Sequence, residues 1–307
     1  MPVATKIPPF QLRALAFSPV DERAICMYHA KLMQLRDAAL EAPLETGIQF
    51  SLDLDIPRQN PDPLSRRTPF IPSPIAPSGR PTICLELSQG LQTEPNGFSQ
   101  VWTAHSGATP GLTFVLKIIQ PSMCHLPHPD DTWVGNYTDP WNLANREAWG
   151  YQNLAQKQGL CIPYFFGIHE ITTPSKKSAW VLVLEFIPGI TGQDVIESMI
   201  ITDIQAFCKL GVDAVTELAR SGWVLSDLRA PNFILTGPRG AWTIVIIDLC
   251  DIRPVQVTKD IQKRATRAGY HFFCQFVTWV QDLGAGIQMF PWAEKNLPRG
   301  ILDDCAL

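Results

Sequence analysis

The order of secondary-structure signals along the chain constrains its fold most. Short β-rich runs, separated by Gly, Asn and Pro and joined by one helix, fill residues 82–186, and an Ile-Pro-Gly sequence at 187–189 ends this pattern. Long amphipathic helices then dominate, predicted over 203–221 and 259–283. Because strands are followed by helices instead of alternating with them, the sequence predicts an α+β chain with a small antiparallel sheet lobe and a mostly helical lobe.

Two further segments precede this pattern. Residues 1–56 form an N-terminal extension with one amphipathic helix, predicted over 21–42 because apolar residues recur there at near-helical spacing. Residues 57–81 are rich in proline, which removes backbone donors and favours extended conformations, so they are predicted to be a linker. The PxxP-like spacing of this linker also fits a binding partner that recognises Pro-rich motifs.

Composition limits the classes of function. The net charge is -4 and no basic run is present, so we expect no binding to nucleic acid. The longest strongly apolar stretch, residues 180–186, is too short to cross a bilayer, and the first residues lack the apolar core of a signal peptide. The eight cysteines include no Cys-x-x-Cys pair. We therefore expect a cytoplasmic or nuclear protein that does not bind membranes and keeps its cysteines as thiols.

A polar motif lies in the helix-rich part of the chain. In Ser-Asp-Leu-Arg-Ala-Pro-Asn (226–232), Asp227 lies five residues before Asn232, and Asp248 follows a β-branched run at 242–247. Phosphoryl transfer needs an acceptor for the proton of the incoming hydroxyl and oxygen ligands for Mg²⁺. One loop can hold the first two residues, and the end of the next strand can bring Asp248 beside them. Taken singly, Asp227 and Asn232 are also ordinary turn residues.

This motif resembles the catalytic and metal-binding loops of the protein kinase-like superfamily, which read H-R-D-L-x-x-x-N and then D-F-G. The resemblance implies a two-lobed protein kinase-like fold. Its small antiparallel sheet lobe, with one helix, would span 82–187, and a shortened, mostly helical lobe would span 188–307.

The resemblance also implies roles for the residues of the motif. Asp227 would accept the proton of the acceptor hydroxyl or orient that hydroxyl. Arg229 would stabilise the transferring phosphoryl group, and Asn232 and Asp248 would bind Mg²⁺.

A nucleotide site in the strand-rich part follows from the same resemblance. Lys117 matches the lysine of V-A-I-K that binds the α- and β-phosphates of ATP, and Glu147 on the next predicted helix is its expected partner. Val101 matches the valine after the glycine-rich loop. Backbone groups from Glu185 to Ile187 match the hinge that binds an adenine edge. Each feature alone is ordinary for a strand or a surface helix, and their joint order favours the nucleotide site.

The chain departs from the family pattern at several positions. Leu225 and Ser226 replace the His and Arg of H-R-D, and Cys250 replaces the glycine of D-F-G. The glycine-rich loop, expected within 88–101, keeps little more than Gly97 of its pattern. No A-P-E sequence follows the second motif, so the peptide-docking part of the fold is expected to be truncated.

Three hypotheses about function follow. In the first, the chain is an ATP- and Mg²⁺-dependent phosphotransferase, a kinase that moves the γ-phosphate to a hydroxyl of a protein or a small molecule. In the second, it is a pseudokinase that binds nucleotide or serves as a scaffold without efficient catalysis. In the third, only the fold is kept, and the Pro-rich linker and N-terminal helix bind a partner.

Overall fold

The computed structural model describes residues 21–55, 82–95, 97–107, 111–126, 139–198, 200–255, 260–282, 289–298 and 301–302. These residues form two compact units. The first unit comprises residues up to Gln156 together with Tyr164–Phe186, and the second comprises Lys157–Pro163 and the chain from Ile187 onward. The predicted Pro-rich linker at 57–81 lies outside the described residues.

The secondary structure confirms the predicted α+β class. The described helices are α1 (Glu22–Glu41), α2 (Pro140–Asn153), α3 (Gly192–Glu197), α4 (Ile201–Arg220), α5 (Ile261–Asp282) and α6 (Met289–Asn296). The described strands are β1 (Gln49–Asp53), β2 (Thr82–Gln92), β3 (Gln100–Ser106), β4 (Thr113–Ile119), β5 (Phe165–Thr172), β6 (Ser178–Glu185), β7 (Ile190–Thr191), β8 (Trp223–Leu225), β9 (Phe233–Thr236), β10 (Thr243–Ile246) and β11 (Ile252–Pro254). Short 3₁₀ turns lie at Pro121–Met123, Ala155–Lys157 and Ala230–Asn232. Among the described helices, none is long and apolar enough to span a membrane.

A six-stranded antiparallel sheet builds the first unit, in the order β1-β2-β3-β4-β6-β5. The backbone N–H of Asp55, just after β1, donates to the carbonyl of Phe166 in β5 at 2.7 Å. This bond links the two ends of the strand order, so the sheet curls around one face. Alternate side chains fill that inner face, including Leu52, Leu85, Leu116 and Val181, all fully buried.

Helix α2 packs on the opposite face of the sheet. Its buried stripe includes Trp141, Ala144, Ala148 and Tyr151, which recur at helical spacing. The rings of Trp141 and Trp180 meet edge to face at 5.2 Å, and those of Tyr151 and Phe165 stack at 5.3 Å. The apolar spacing predicts this helix over 145–156, but it begins five residues earlier, at Pro140. The earlier start is possible because Pro140 occupies the first turn and Asp139 accepts from the N–H of Trp141.

Helices α4 and α5 pack closely in the second unit. A Cβ atom at Gly211 would lie 2.1 Å from Cζ of Phe272, so this position requires glycine. Around this contact lies an aromatic cluster of Phe207, Phe233, Phe272 and Phe276. The apolar face of the amphipathic helix α5 therefore forms a core with α4 and β9.

Helix α4 begins differently from the prediction. The sequence predicts a capping box at Thr202 and Gln205, but the helix begins at Ile201, and its N-cap Ile200 makes no side-chain hydrogen bond. That prediction is wrong, because Thr202 already lies inside the first turn. The capping box instead opens α3, where Thr191 and Asp194 bond reciprocally.

The N-terminal extension contributes a strand as well as a helix. Strand β1 pairs antiparallel with β2 from Gln49 to Asp53, within the segment predicted to be a helical extension. Only Phe50 and Leu52 of its five residues are apolar, which gave too short a pattern to predict a strand.

Candidate functional site

Strands β3, β4 and β6 place Lys117 in the middle of the α2 face. In the register of the sheet, Lys117 lies opposite Val101 on one side and opposite Leu182 on the other. Cross-strand partners point to the same face, so Val101 and Lys117 are neighbours, as the nucleotide-site prediction requires. Their predicted contact with a nucleotide stays a prediction.

The ion pair expected between Lys117 and Glu147 is present. Nζ of Lys117 lies 2.7 Å from Oε2 of Glu147, and the two side chains are only 11% and 1% exposed. Glu147 reaches this position because it lies on the buried stripe of α2. An ionised carboxylate at such a depth requires a compensating charge, which the ammonium group of Lys117 supplies.

The predicted hinge residues lie in different units. The N–H of Glu185 donates to the carbonyl of Tyr164 at 2.9 Å, and its carboxylate accepts from the N–H of Tyr164 at 3.0 Å. The N–H of Glu185 is therefore engaged within the sheet, which restricts the predicted adenine contact of this residue to its carbonyl. Ile187 is buried and belongs to the second unit.

In the second unit, the loop after β8 holds Asp227 and Arg229 together. Nε and Nη2 of Arg229 donate to Oδ1 and Oδ2 of Asp227 at 2.7 and 2.6 Å, a bidentate contact. Arg229 has an extended backbone, so residues two apart in this loop point the same way. The hydrogen bond to Asp227 raises the pKa of Arg229 further, and Asp248 and Cys250 act in the same direction.

Asn232 ties this loop to the end of β10. Its side-chain Nδ2 donates to the carbonyl of Asp227 at 3.3 Å, and its own carbonyl accepts from the N–H of Ile247 at 2.8 Å. The first bond uses the nitrogen of the amide and not the oxygen. The second places the backbone of Asn232 next to Ile247, the residue that precedes Asp248 in the chain.

Asp248 has an unusual backbone. Its φ is +62°, and Lys176 is the other non-glycine residue with a positive φ in the described chain. Lys176 lies in the turn between β5 and β6, where such a conformation is common, whereas Asp248 lies between β10 and the turn in which the N–H of Ile252 donates to the carbonyl of Leu249 at 3.2 Å. Oδ1 of Asp248 accepts from the N–H of Cys250 at 3.3 Å. Strained conformations of this kind concentrate at functional sites.

The predicted residues therefore form two clusters, one within each unit. The first contains Val101, Lys117 and Glu147. The second contains Asp227, Arg229, Asn232 and Asp248. Within the part of the chain that the structure describes, no three His, Cys, Asp or Glu side chains group as a metal site. The bidentate contact between Asp227 and Arg229 was not predicted, although an Asp-x-Arg spacing in an extended loop is its signal.

In comparison with known proteins, no protein-family model matches the chain, and no curated protein matches it.

Proposed function

We propose that this protein is an ATP- and Mg²⁺-dependent phosphotransferase with a protein kinase-like fold. Its first unit would correspond to the sheet lobe and its second to a shortened helical lobe. The acceptor would be a hydroxyl group of a protein or a small molecule. The buried Lys117–Glu147 ion pair supports the proposal most, because a sheet face that only packed against α2 would be expected to carry apolar residues there.

Lys117 would bind the nucleotide phosphates as a point charge. Glu147 holds the ammonium group at 2.7 Å and so fixes its position on β4. The neighbouring Val101 would offer an apolar contact to the nucleotide.

Asn232 and Asp248 would hold Mg²⁺. One carboxylate and one amide oxygen fit this ion, which is commonly held by few protein oxygens together with water and substrate phosphates. The bond from Nδ2 of Asn232 to the carbonyl of Asp227 fits this role, because it uses the nitrogen of the amide and not the oxygen. When bound, Mg²⁺ would neutralise negative charge on the phosphates.

Asp227 would take the proton of the acceptor hydroxyl. Each of its carboxylate oxygens accepts one bond from Arg229, which leaves a second lone pair on each oxygen for the hydroxyl, and the bonds from Arg229 would weaken once the carboxylate takes the proton. Arg229 is 63% exposed, so its guanidinium can turn into water at low cost. In this role, Arg229 would first orient Asp227 and then face the transferring phosphoryl group.

Transfer of radiolabelled phosphate from ATP tests the proposal, with generic proteins and small alcohols as acceptors. Thermal denaturation with and without MgATP measures binding, since nucleotide at a hundred times its Kd stabilises by about 2.7 kcal/mol. We expect Asp227→Asn to abolish transfer and keep binding, and Asp248→Asn to weaken metal-dependent binding. Asp213→Asn, at an exposed carboxylate on α4, is the matched control and should behave like the wild type. Full transfer by Asp227→Asn would refute the assignment of that residue.

A pseudokinase is the second candidate, favoured by one observation. Arg229 donates to both oxygens of Asp227, so an acceptor hydroxyl has to approach this carboxylate beside a bound guanidinium. Stabilisation by MgATP with no phosphate transfer, in the wild type and in Arg229→Ala alike, would support this candidate. No stabilisation at millimolar nucleotide would instead favour a protein that only binds partners.

A further inference from the structure

The loop between β2 and β3 is held in place although it lacks the glycine pattern of a phosphate-binding loop. Nε2 of Gln100 donates to the carbonyl of Thr93 at 3.0 Å, and Nε2 of Gln92 donates to that of Ser99 at 3.5 Å. These side chains close the loop from its two ends. We call the described residues 93–95 and 97–99 the β2–β3 loop.

Cys124, which lies after β4, contacts the middle of the loop. Its backbone forms an isolated parallel bridge with Gly97, and its Sγ lies 3.5 Å from the carbonyl of Phe98 and 3.4 Å from that of Gln120. The side chain is buried, and burial raises the pKa of this thiol to about 12. Cys124 therefore keeps its S–H, which is a weak donor toward the loop.

Arg36 of α1 in turn holds the segment that carries Cys124. Nε of Arg36 donates to the carbonyl of Ser122 at 2.6 Å, and Nη2 donates to the carbonyl of Cys124 at 2.5 Å. These are charge-assisted bonds across more than eighty residues of sequence. Burial lowers the pKa of Arg36, which indicates that the guanidinium is partly removed from water at this contact.

Together these contacts form a continuous series of bonds from α1 to the β2–β3 loop. We propose that Arg36 and Cys124 are positioning residues for the β2–β3 loop, which they hold in the conformation that binds nucleotide phosphates. The phosphate contact rests on the proposed function; the restraint of the loop does not. The physical reason is entropic: a loop fixed before binding loses less conformational freedom when the ligand arrives.

Hydrogen exchange measured by mass spectrometry tests the restraint on the intact protein without any ligand. We expect Arg36→Ala and Cys124→Ala to raise exchange in peptides of the β2–β3 loop about tenfold, since a charge-assisted bond is lost in the first case and the bridge is loosened in the second. Exchange in β5 should stay unchanged. Cys124→Ser, which keeps a donor, should give a smaller increase than Cys124→Ala.

Two matched controls lie on α1 itself. Arg23→Ala and Cys26→Ala remove the same types of side chain from exposed positions of the helix. Hydrogen exchange of the β2–β3 loop in these variants should match that of the wild type. Wild-type exchange of the loop in both Arg36→Ala and Cys124→Ala would overturn the proposal. An equal increase in β5 would also overturn it, because the two residues would then act on general stability.

Titration with MgATP separates this inference from the proposed function. If the wild type binds, Arg36→Ala should raise the Kd about tenfold, while Arg23→Ala leaves it unchanged. An unchanged Kd in a variant whose loop exchanges faster would refute the phosphate contact of the loop. If the wild type binds no MgATP, the proposed function fails, and the exchange experiment still decides whether the two residues restrain the loop.

Discussion

Two ion pairs with nearly equal bond lengths differ in what surrounds them. Lys117 and Glu147 meet at 2.7 Å in the first unit with side chains 11% and 1% exposed. Arg229 and Asp227 meet at 2.6 Å in the second unit with side chains 63% and 15% exposed. Separation of the first pair leaves a buried charge, whereas the Arg of the second pair can move into water. The first pair is thus a fixed part of its unit, and the second can exchange partners.

This difference fits the proposed chemistry. A lysine that binds phosphates needs to stay in one place, whereas a carboxylate that accepts a proton needs to release its partner. The two N–O distances are nearly equal, so they do not distinguish the roles of the two pairs. Burial separates them, and the comparison yields predictions that follow the degree of burial.

The largest effect is expected at Glu147. Glu147→Ala removes the partner of a buried ammonium group and should lower the free energy of unfolding of the first unit by about 3–5 kcal/mol. Urea denaturation followed by circular dichroism, with hydrogen exchange of α2 as a local probe, measures the loss. Asp213→Ala, at the exposed pair with Lys209, is the control and should cost less than about 1 kcal/mol.

The double variant Lys117→Met with Glu147→Leu sharpens this prediction. Replacement of a buried pair by apolar side chains removes both charges, so most of the lost stability should return. If the double variant is less stable than Glu147→Ala alone, the loss comes from packing and not from an uncompensated charge.

An intermediate effect is expected at Arg239. Nε and Nη2 of Arg239 bind the two oxygens of Asp203 at 3.2 and 2.9 Å, and Asp203 is 11% exposed while Arg239 is 61% exposed. Arg239→Ala leaves a largely buried carboxylate, which can still reach water, and should cost about 1–2 kcal/mol in urea denaturation. If Arg239→Ala lowers the free energy of unfolding as much as Glu147→Ala does, burial of one partner of an ion pair is enough to cause the full loss.

The smallest effect on stability is expected at Arg229. Arg229→Ala should lower the free energy of unfolding by about 1 kcal/mol or less, because the carboxylate that it leaves, Asp227, is 15% exposed and keeps more water than Asp203, which is 11% exposed. Salt at 1 M should remove even this difference, since screening at that concentration acts over about 3 Å. A stability loss above 2 kcal/mol that persists in salt would contradict the view that this pair is exchangeable.

Long periodic segments made most of the fold predictable from sequence. Helices α1, α4 and α5 lie where apolar spacing predicted them, within a few residues at their ends, and strands β2 to β6 fall within the β-rich segment predicted at 82–186. Among the short strands, β10 was predicted from the β-branched run at 242–247, whereas β1, β7, β8 and β11 were not predicted, because two to five residues carry too little periodicity. Strand β1 illustrates this. It pairs along its whole length with β2, which begins at Thr82, twenty-nine residues after β1 ends at Asp53.

The two residue clusters were predictable in part. The register that places Val101 beside Lys117 follows from alternation in neighbouring strands, and the burial of Glu147 follows from its place on the α2 stripe. The contacts of Arg36 with Ser122 and Cys124 were not predictable, because they join backbone carbonyls to a side chain more than eighty positions away. The positive φ of Asp248 is likewise a product of tertiary structure, since nothing in its neighbours requires it.

Strand β1 has a consequence for any shortened form of the protein. It pairs with β2, and the N–H of Asp55 reaches Phe166, so the segment covers the open edge of the sheet at β2. A truncated chain that starts at Thr82, where the kinase-like pattern begins, would leave the backbone donors and acceptors of β2 unsatisfied and expose Leu85 and Leu87 to water. Such an edge recruits strands from other molecules, so the truncated chain would be expected to aggregate even though every residue of the two clusters is still present.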